Sequence, residues 1–287
     1  MKGHPVAMTN ASALVVFMLA GWGLPAFAAL EIRSQSVPQN VFSGPDQQSR
    51  IEFHNPTDRP IELKLRTRLH QASTATLMPI GEPQPWKTLA VLPRQTVLET
   101  LTLELPEVRA VTLFQVHWLD EKRTLLGETE LMVYPNNVLK QLSTLSQEKP
   151  IGLLDPNRQL SPVLLRQKVE LQILQTSVEV EDFPGRLVLV GPFSNASQVT
   201  HDFPELNKRI TAKAKAGGRI VWLQPPSANP EPSPPLYTLP VGPGIVVIAP
   251  ASTVADFATS PASQLNLVHF TELALGSNSL HLPKTER

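Results

Sequence analysis

The chain has 287 residues, balances 25 Lys and Arg against 25 Asp and Glu, and contains no cysteine. Disulfides, thiolate chemistry and a cysteine-linked lipid anchor are excluded, so an exported chain of this kind must be held by its hydrophobic core. Zero formal charge with scattered basic residues argues against nucleic acid as a partner, because phosphate binding needs a concentrated basic surface.

Residues 1–28 read as a secretory signal peptide. Lys2 gives a weakly positive start, Ala13–Ala20 forms an apolar core that continues to Leu24, and Pro25 breaks the helix. Ala26-Phe27-Ala28 then places small residues where a signal peptidase reads, so cleavage is expected after Ala28. An uncleaved anchor is the competing reading, but a spanning helix wants about 20 apolar residues and this run is shorter. No later segment is more than strand-length in its apolar run, so no stable membrane span is expected after cleavage. The expected location is the periplasm, the cell surface or the medium.

Residues 29–135 read as strands. Ile51–His54 precedes the turn Asn55-Pro-Thr-Asp58, and Ile61–Leu69 alternates apolar and polar over nine positions. Thr96–Leu105, Val111–Leu119 and Leu125–Val133 repeat that period of two, the pattern of sheets with one wet face. Six or seven short strands separated by turn signals predict an antiparallel β-sandwich of immunoglobulin-like type, lacking the Cys…Trp…Cys hallmark. Trp118 is expected in its core.

Residues 136–149 read as a linker with a short helical pattern at 138–146. From Pro150 the grammar changes. Ile151–Leu154, Leu187–Val190 and Ile220–Leu223 are apolar throughout, and helices are expected at 160–168 and 203–216 between them. Leu206, Ile210 and Ala214 fall on one face of the second helix, which should stop at Gly217-Gly218. Such strands alternating with helices predict a mostly parallel sheet covered on both faces, a flavodoxin-like α/β domain over 150–276. Eight prolines between Pro225 and Pro243 predict an extended loop over 225–243. Ile245–Ile248 returns as a strand, Ala262–Leu275 as a last helix, and 277–287 as a tail. The fold class is therefore α+β multidomain.

The run Arg186-Leu-Val-Leu-Val-Gly-Pro192 and the stretch from Ile210 through Ala216-Gly-Gly-Arg-Ile-Val-Trp-Leu223 resemble the class I glutamine amidotransferase-like fold. They are also similar to its ThuA-like and β-galactosidase middle-domain relatives. The likeness covers about 100 residues, from Lys149 to Gln224 and over Ile245–Ala249. It implies a nucleophilic cysteine on the turn after the strand ending at Leu223. Gln224, Pro225 and Pro226 stand there instead, and proline cannot form the strained elbow such a nucleophile needs. The resemblance thus implies a catalytically dead domain. Ser227 has no Gly-x-Ser-x-Gly around it and reads as a loop serine. His269 and Glu272 lie three apart, not in the family's His-x-Glu spacing, and read as a surface hydrogen bond on a helix.

No zinc-binding histidine spacing, phosphate loop or dinucleotide fingerprint occurs, and no cofactor is expected. His201-Asp202 reads as a solvated loop pair. Asp155 ends a parallel strand, where doubly wound folds place ligand-contacting groups, although a cap or turn before Pro156 is the plainer reading. Asp155, Gly191 and Gln224 mark the expected ligand-binding crevice. The function expected is non-catalytic binding or scaffolding, with an envelope protein or a glycan as partner. The alternative is a hydrolase-related protein acting on carbohydrate or cell wall, with Asp155 and Asp182 as general acid and base. A third reading is a chaperone-like or adhesion sandwich with the α/β part as spacer.

Overall fold

The structure, a computed structural model, describes residues 30–33, 36–193, 196–224 and 236–276, with backbone alone for 196–203 and 224. The expected signal peptide, most of the proline-rich loop and the tail lie outside the described residues.

The N-terminal half carries β1 (Glu31–Arg33), β2 (Gln39–Phe42), β3 (Gly44–His54), β4 (Ile61–Ala72), β5 (Leu77–Val91), β6 (Thr96–Leu105), β7 (Thr112–Leu119) and β8 (Leu125–Tyr134). They form one sheet in the order β1-β3-β6 and another in the order β2-β8-β7-β4-β5. Every pairing is antiparallel except β2 beside β8. The alternating residues Ile51, Phe53, Leu101 and Leu105 of the first sheet face Leu65, Phe114, Val116, Trp118, Leu131 and Val133 of the second across one core. Trp118 is fully buried as expected, its indole N–H donates to Thr129 Oγ1 at 3.0 Å, and its ring meets Phe53 and Trp86 edge-on. Asn55 fixes the expected turn, with its Nδ2 donating to the carbonyls of Arg59, Val91 and Leu92 and its Oδ1 accepting from Thr57.

Strand β5 escaped the sequence reading because Pro79, Pro83 and Pro85 interrupt it. It lies at the sheet edge beyond β4, the position where proline costs no ladder hydrogen bond.

The C-terminal half contains α1 (Lys140–Leu145), β9 (Ile151–Leu154), α2 (Ser161–Arg166), β10 (Leu171–Leu174), α3 (Ser177–Asp182), β11 (Leu187–Val190), α4 (Ala196–Lys215), β12 (Arg219–Gln224), β13 (Tyr237–Val241), β14 (Gly244–Pro250) and α5 (Pro261–Leu275). Its sheet runs β10-β9-β11-β12-β14-β13, parallel except for the edge strand β13. Numbered among themselves, the parallel strands follow the spatial order 2-1-3-4-5. Helices α1, α2 and α5 cover one face over Leu153, Leu189, Val221 and Val247. Helices α3 and α4 cover the other over Leu154, Val188, Val190 and Trp222.

Several local expectations need correction. Segment 136–149, expected as a linker with a short helix, packs Val138, Leu139 and Leu142 into the helix-side core together with Phe42 from β2. At the end of the proline-rich stretch, Tyr237–Val241 pairs with β14 as an edge strand that tolerates Pro240. Helix α4 begins at Ala196, ahead of the expected 203, and carries Pro204 inside it. Leu206, Ile210 and Ala214 are buried as the periodicity predicted, and Gly217, at φ +94°, closes the helix. Helix α3 was not foreseen, although Thr176 and Glu179 spell its capping box. Thr176 Oγ1 accepts from the Glu179 amide, and Glu179 Oε2 accepts from the Gln175 amide.

Candidate functional site

Strands β9, β11 and β12 lie side by side, with Leu154 opposite Val190 and Val190 opposite Trp222. The residues that follow them, Asp155 and Gly191, therefore stand at one edge of the sheet together with Gln224, the last residue of β12. The sequence-predicted crevice residues are brought together there. Between β9 and β11 the strand order reverses, which is where open α/β sheets form a crevice at their carboxyl ends.

The chemistry at that edge is largely consumed by the fold. Asp155 is buried, and its carboxylate accepts backbone N–H bonds from Gln159 at 3.1 Å, Leu160 at 2.9 Å and Ser161 at 2.8 Å. These are the donors that the start of α2 would leave without partners, and a carboxylate there also faces the positive end of the helix. Ser161 is the first residue of α2, and the capping oxygens come from Asp155.

Gly191 is shaped by a close approach. Its N–H donates to the Leu154 carbonyl at 2.8 Å, and its φ is +89°. A Cβ at this position would meet the Leu223 carbonyl oxygen at 2.6 Å, so only glycine lets β11 and β12 end so tightly. Asn157 Nδ2 donates to the Pro192 carbonyl at 3.1 Å, tying the loop after β9 to the loop after β11. The backbone of Gln224 pairs with Pro250 on β14. Ser227 lies outside the described residues, as do the side chains of His201 and Asp202.

Asp155 and Asp182 are not brought together. Asp155 follows the carboxyl end of β9. Asp182 closes α3 and precedes the amino end of β11, where Phe183 packs on Gly152 and Lys213 Nζ donates to the Phe183 carbonyl. A four-residue strand, roughly 13 Å long, separates those levels, against the 5–10 Å or so that paired glycosidase carboxylates need. Lys213 is itself buried, and desolvation holds its amine below the ordinary lysine range against the opposing pull of Asp182. His269 Nδ1 and Glu272 Oε2 are 3.9 Å apart, too long for the hydrogen bond expected between them.

A second titratable group was invisible in the sequence because it spans two strands. His70 on β4 and His117 on β7 lie with ring centroids 3.9 Å apart and ring planes tilted by 33° on the outer face of the five-stranded sheet. Both titrate below the usual histidine value of 6.5, chiefly through desolvation. The neighbouring imidazole adds to the effect at His70. At His117, Glu128 pulls the other way and Arg68, directly opposite on β4, adds to the lowering. Among the described residues no group of three or more His, Cys, Asp or Glu could hold a metal ion, and no helix is long and apolar enough to cross a membrane.

No family model and no curated protein matches the chain. Among solved structures, the alkylpurine DNA glycosylase AlkC of Pseudomonas fluorescens aligns at 13% identity over 38% of this chain and 31% of its own, with a TM-score of 0.27. A β-glucosidase from Listeria innocua aligns at 14% over 38% and 16%, again at 0.27. A Niemann-Pick type C2 protein from the Japanese carpenter ant aligns at 9% over 37% of this chain and 88% of its own, at 0.27. The alignments to the first two span less than a third of those proteins. At such scores these likenesses bear neither on the fold nor on the activity of this chain.

Proposed function

We propose that the mature chain is an exported, non-catalytic binding or scaffolding protein of the periplasm or cell surface. It joins an immunoglobulin-like sandwich over about 29–135 to a flavodoxin-like α/β domain over 150–276, the latter of amidotransferase-like type without its nucleophile. The observation that carries the reading is the state of Asp155, the acid at the strand-order reversal, whose carboxylate already accepts three backbone amides. A group so occupied serves as a helix cap, and using it as a general acid or base would uncap α2. The 2-1-3-4-5 order of parallel strands, with helices on both faces, supports the flavodoxin-like assignment. The absence of any cysteine from the sequence supports the loss of the family's chemistry.

The test is a panel of glycoside and amide substrates applied to the purified mature chain, with Asp155→Asn and Asp182→Ala as controls. No turnover above buffer is expected. Turnover that disappears in either variant while its circular dichroism stays native overturns the reading. Export is checked by sequencing the amino terminus of the protein recovered outside the cytoplasm, which should begin at Ala29.

A further inference from the structure

Where the two halves meet, Asn136 Nδ2 donates to the Ser43 carbonyl at 2.9 Å, and Phe42 of β2 enters the helix-side core. Above that contact lies a cleft of about 500 Å³, within the roughly 300–1,000 Å³ typical of small-molecule sites. Its floor is apolar and amide: Phe42, Val163, Gln167 and Gln264. The two glutamines are satisfied within the protein. Gln167 donates to Gln264 Oε1 at 3.1 Å and accepts the Leu139 amide, and Gln264 donates to the Phe257 carbonyl. Its rim carries Lys140, Arg166 and Lys168, and no Asp or Glu among the described residues lines it. Among the described residues, none of these three cations has an ion-pair partner.

Local structure accounts for one of the three. Arg166 lies in the last turn of α2, where a cation complements the helix dipole. Lys140 is the first residue of α1, the end at which a cation is disfavoured. Lys168 has φ +60° at the turn that closes α2, with its own N–H on the Leu165 carbonyl and the Val169 N–H on the Leu164 carbonyl. Glycine is the usual occupant of that position, since a Cβ in the left-handed region meets the following carbonyl oxygen. Three unpaired cations therefore converge on one concave site in a chain of zero formal charge, two of them against local preference.

We propose that this seam cleft binds a small organic polyanion, a molecule carrying two or more carboxylate or phosphate groups. Lysine ammoniums and the Arg166 fork supply charge-assisted donors, and Phe42 and Val163 cover the ligand's carbon skeleton. Asp155 and Gly191 are not among the described residues that line the cleft, so the site is independent of the non-catalytic reading of the strand-end crevice. A failure to bind here leaves that reading intact, and turnover there leaves this site untouched.

The test is calorimetric titration of the mature chain with tripolyphosphate, citrate and an acidic disaccharide such as digalacturonate, at low and at raised salt. Saturable one-to-one binding of at least one probe is expected, weakened by salt and by about tenfold for each of Lys140→Ala and Arg166→Ala. Response to tripolyphosphate alone assigns the site to phosphate esters, and response to the other two assigns it to carboxylates. Lys168→Gly keeps the turn geometry and should weaken binding while raising the unfolding midpoint, so lost affinity cannot be ascribed to lost fold. No saturable heat from any probe up to about 10 mM, or binding that survives the triple replacement, overturns the proposal.

Discussion

The strand-end edge, where a crevice is expected, and the seam cleft both gather polar residues, and they treat them in opposite ways. At the crevice Asp155 gives its carboxylate to three backbone amides, and Asn157 ties two loops together through the Pro192 carbonyl. At the seam the amide floor is internally satisfied, and among the described residues the three rim cations have no carboxylate partner. The contrast teaches that a polar residue at a favoured topological position is evidence of function only when the fold has left it something to bind. Buried polar groups are costly unless satisfied, so satisfaction by the fold is the default and a spare group is the informative case.

The largest effect expected lies beneath the seam. Leu142 is fully buried in the helix-side core, and Leu142→Ala should lower stability by about 2–5 kcal/mol in urea unfolding. A loss below 0.5 kcal/mol or so would mean that 136–149 is the loose linker its position first suggests. Next, Asp155→Ala should cost about 2 kcal/mol, the loss of a helix cap with charge-assisted bonds. Asp155→Asn, which keeps one carbonyl acceptor, should cost less. At the rim the same measurement on Lys140→Ala or Arg166→Ala should stay within about 0.5 kcal/mol. Equal losses at Asp155 and at the rim would erase the distinction between the two regions.

The histidine pair offers a smaller test in the sandwich. His70 and His117 have folded-state values lowered from 6.5, so below about pH 6.5 the unfolded chain binds more protons than the folded one. Their contribution is intact above that pH and is lost as pH falls toward their depressed values. Urea midpoints should therefore decline between about pH 7 and 5.5, and His117→Gln should flatten that decline. A midpoint insensitive to the substitution at every pH would show that the pair is not desolvated.

Much of this architecture is legible in the sequence wherever burial repeats along a strand. The period of two in Ile61–Leu69, Thr96–Leu105 and Leu125–Val133 marks β4, β6 and β8, and the unbroken apolar runs mark β9, β11 and β12. What the pattern missed has physical causes. Prolines hid β5 and the end strand β13, because both occupy edges where a missing N–H costs nothing. Helix α3 is six residues long and buries only Val180, too little to set a period. The placement of Asp155, Gly191 and Gln224 at the strand ends was legible because strand ends are readable from apolar runs. The rim cations were not, since position 140 starts α1 while 166 and 168 close α2, and only the packing of the two helices in one core brings them together.

Asp155, held as a cap by three backbone amides, is what makes the strand-end edge inert. Hydrogen exchange at the Leu160 and Ser161 amides, compared between the native chain and Asp155→Ala, measures that directly. Slow exchange in the native chain and exchange faster by at least about tenfold in the variant are expected, since each 1.4 kcal/mol of lost protection is tenfold. Equal rates in the two proteins would mean that the carboxylate is free of those amides and available for chemistry, contrary to the reading of this edge as inert.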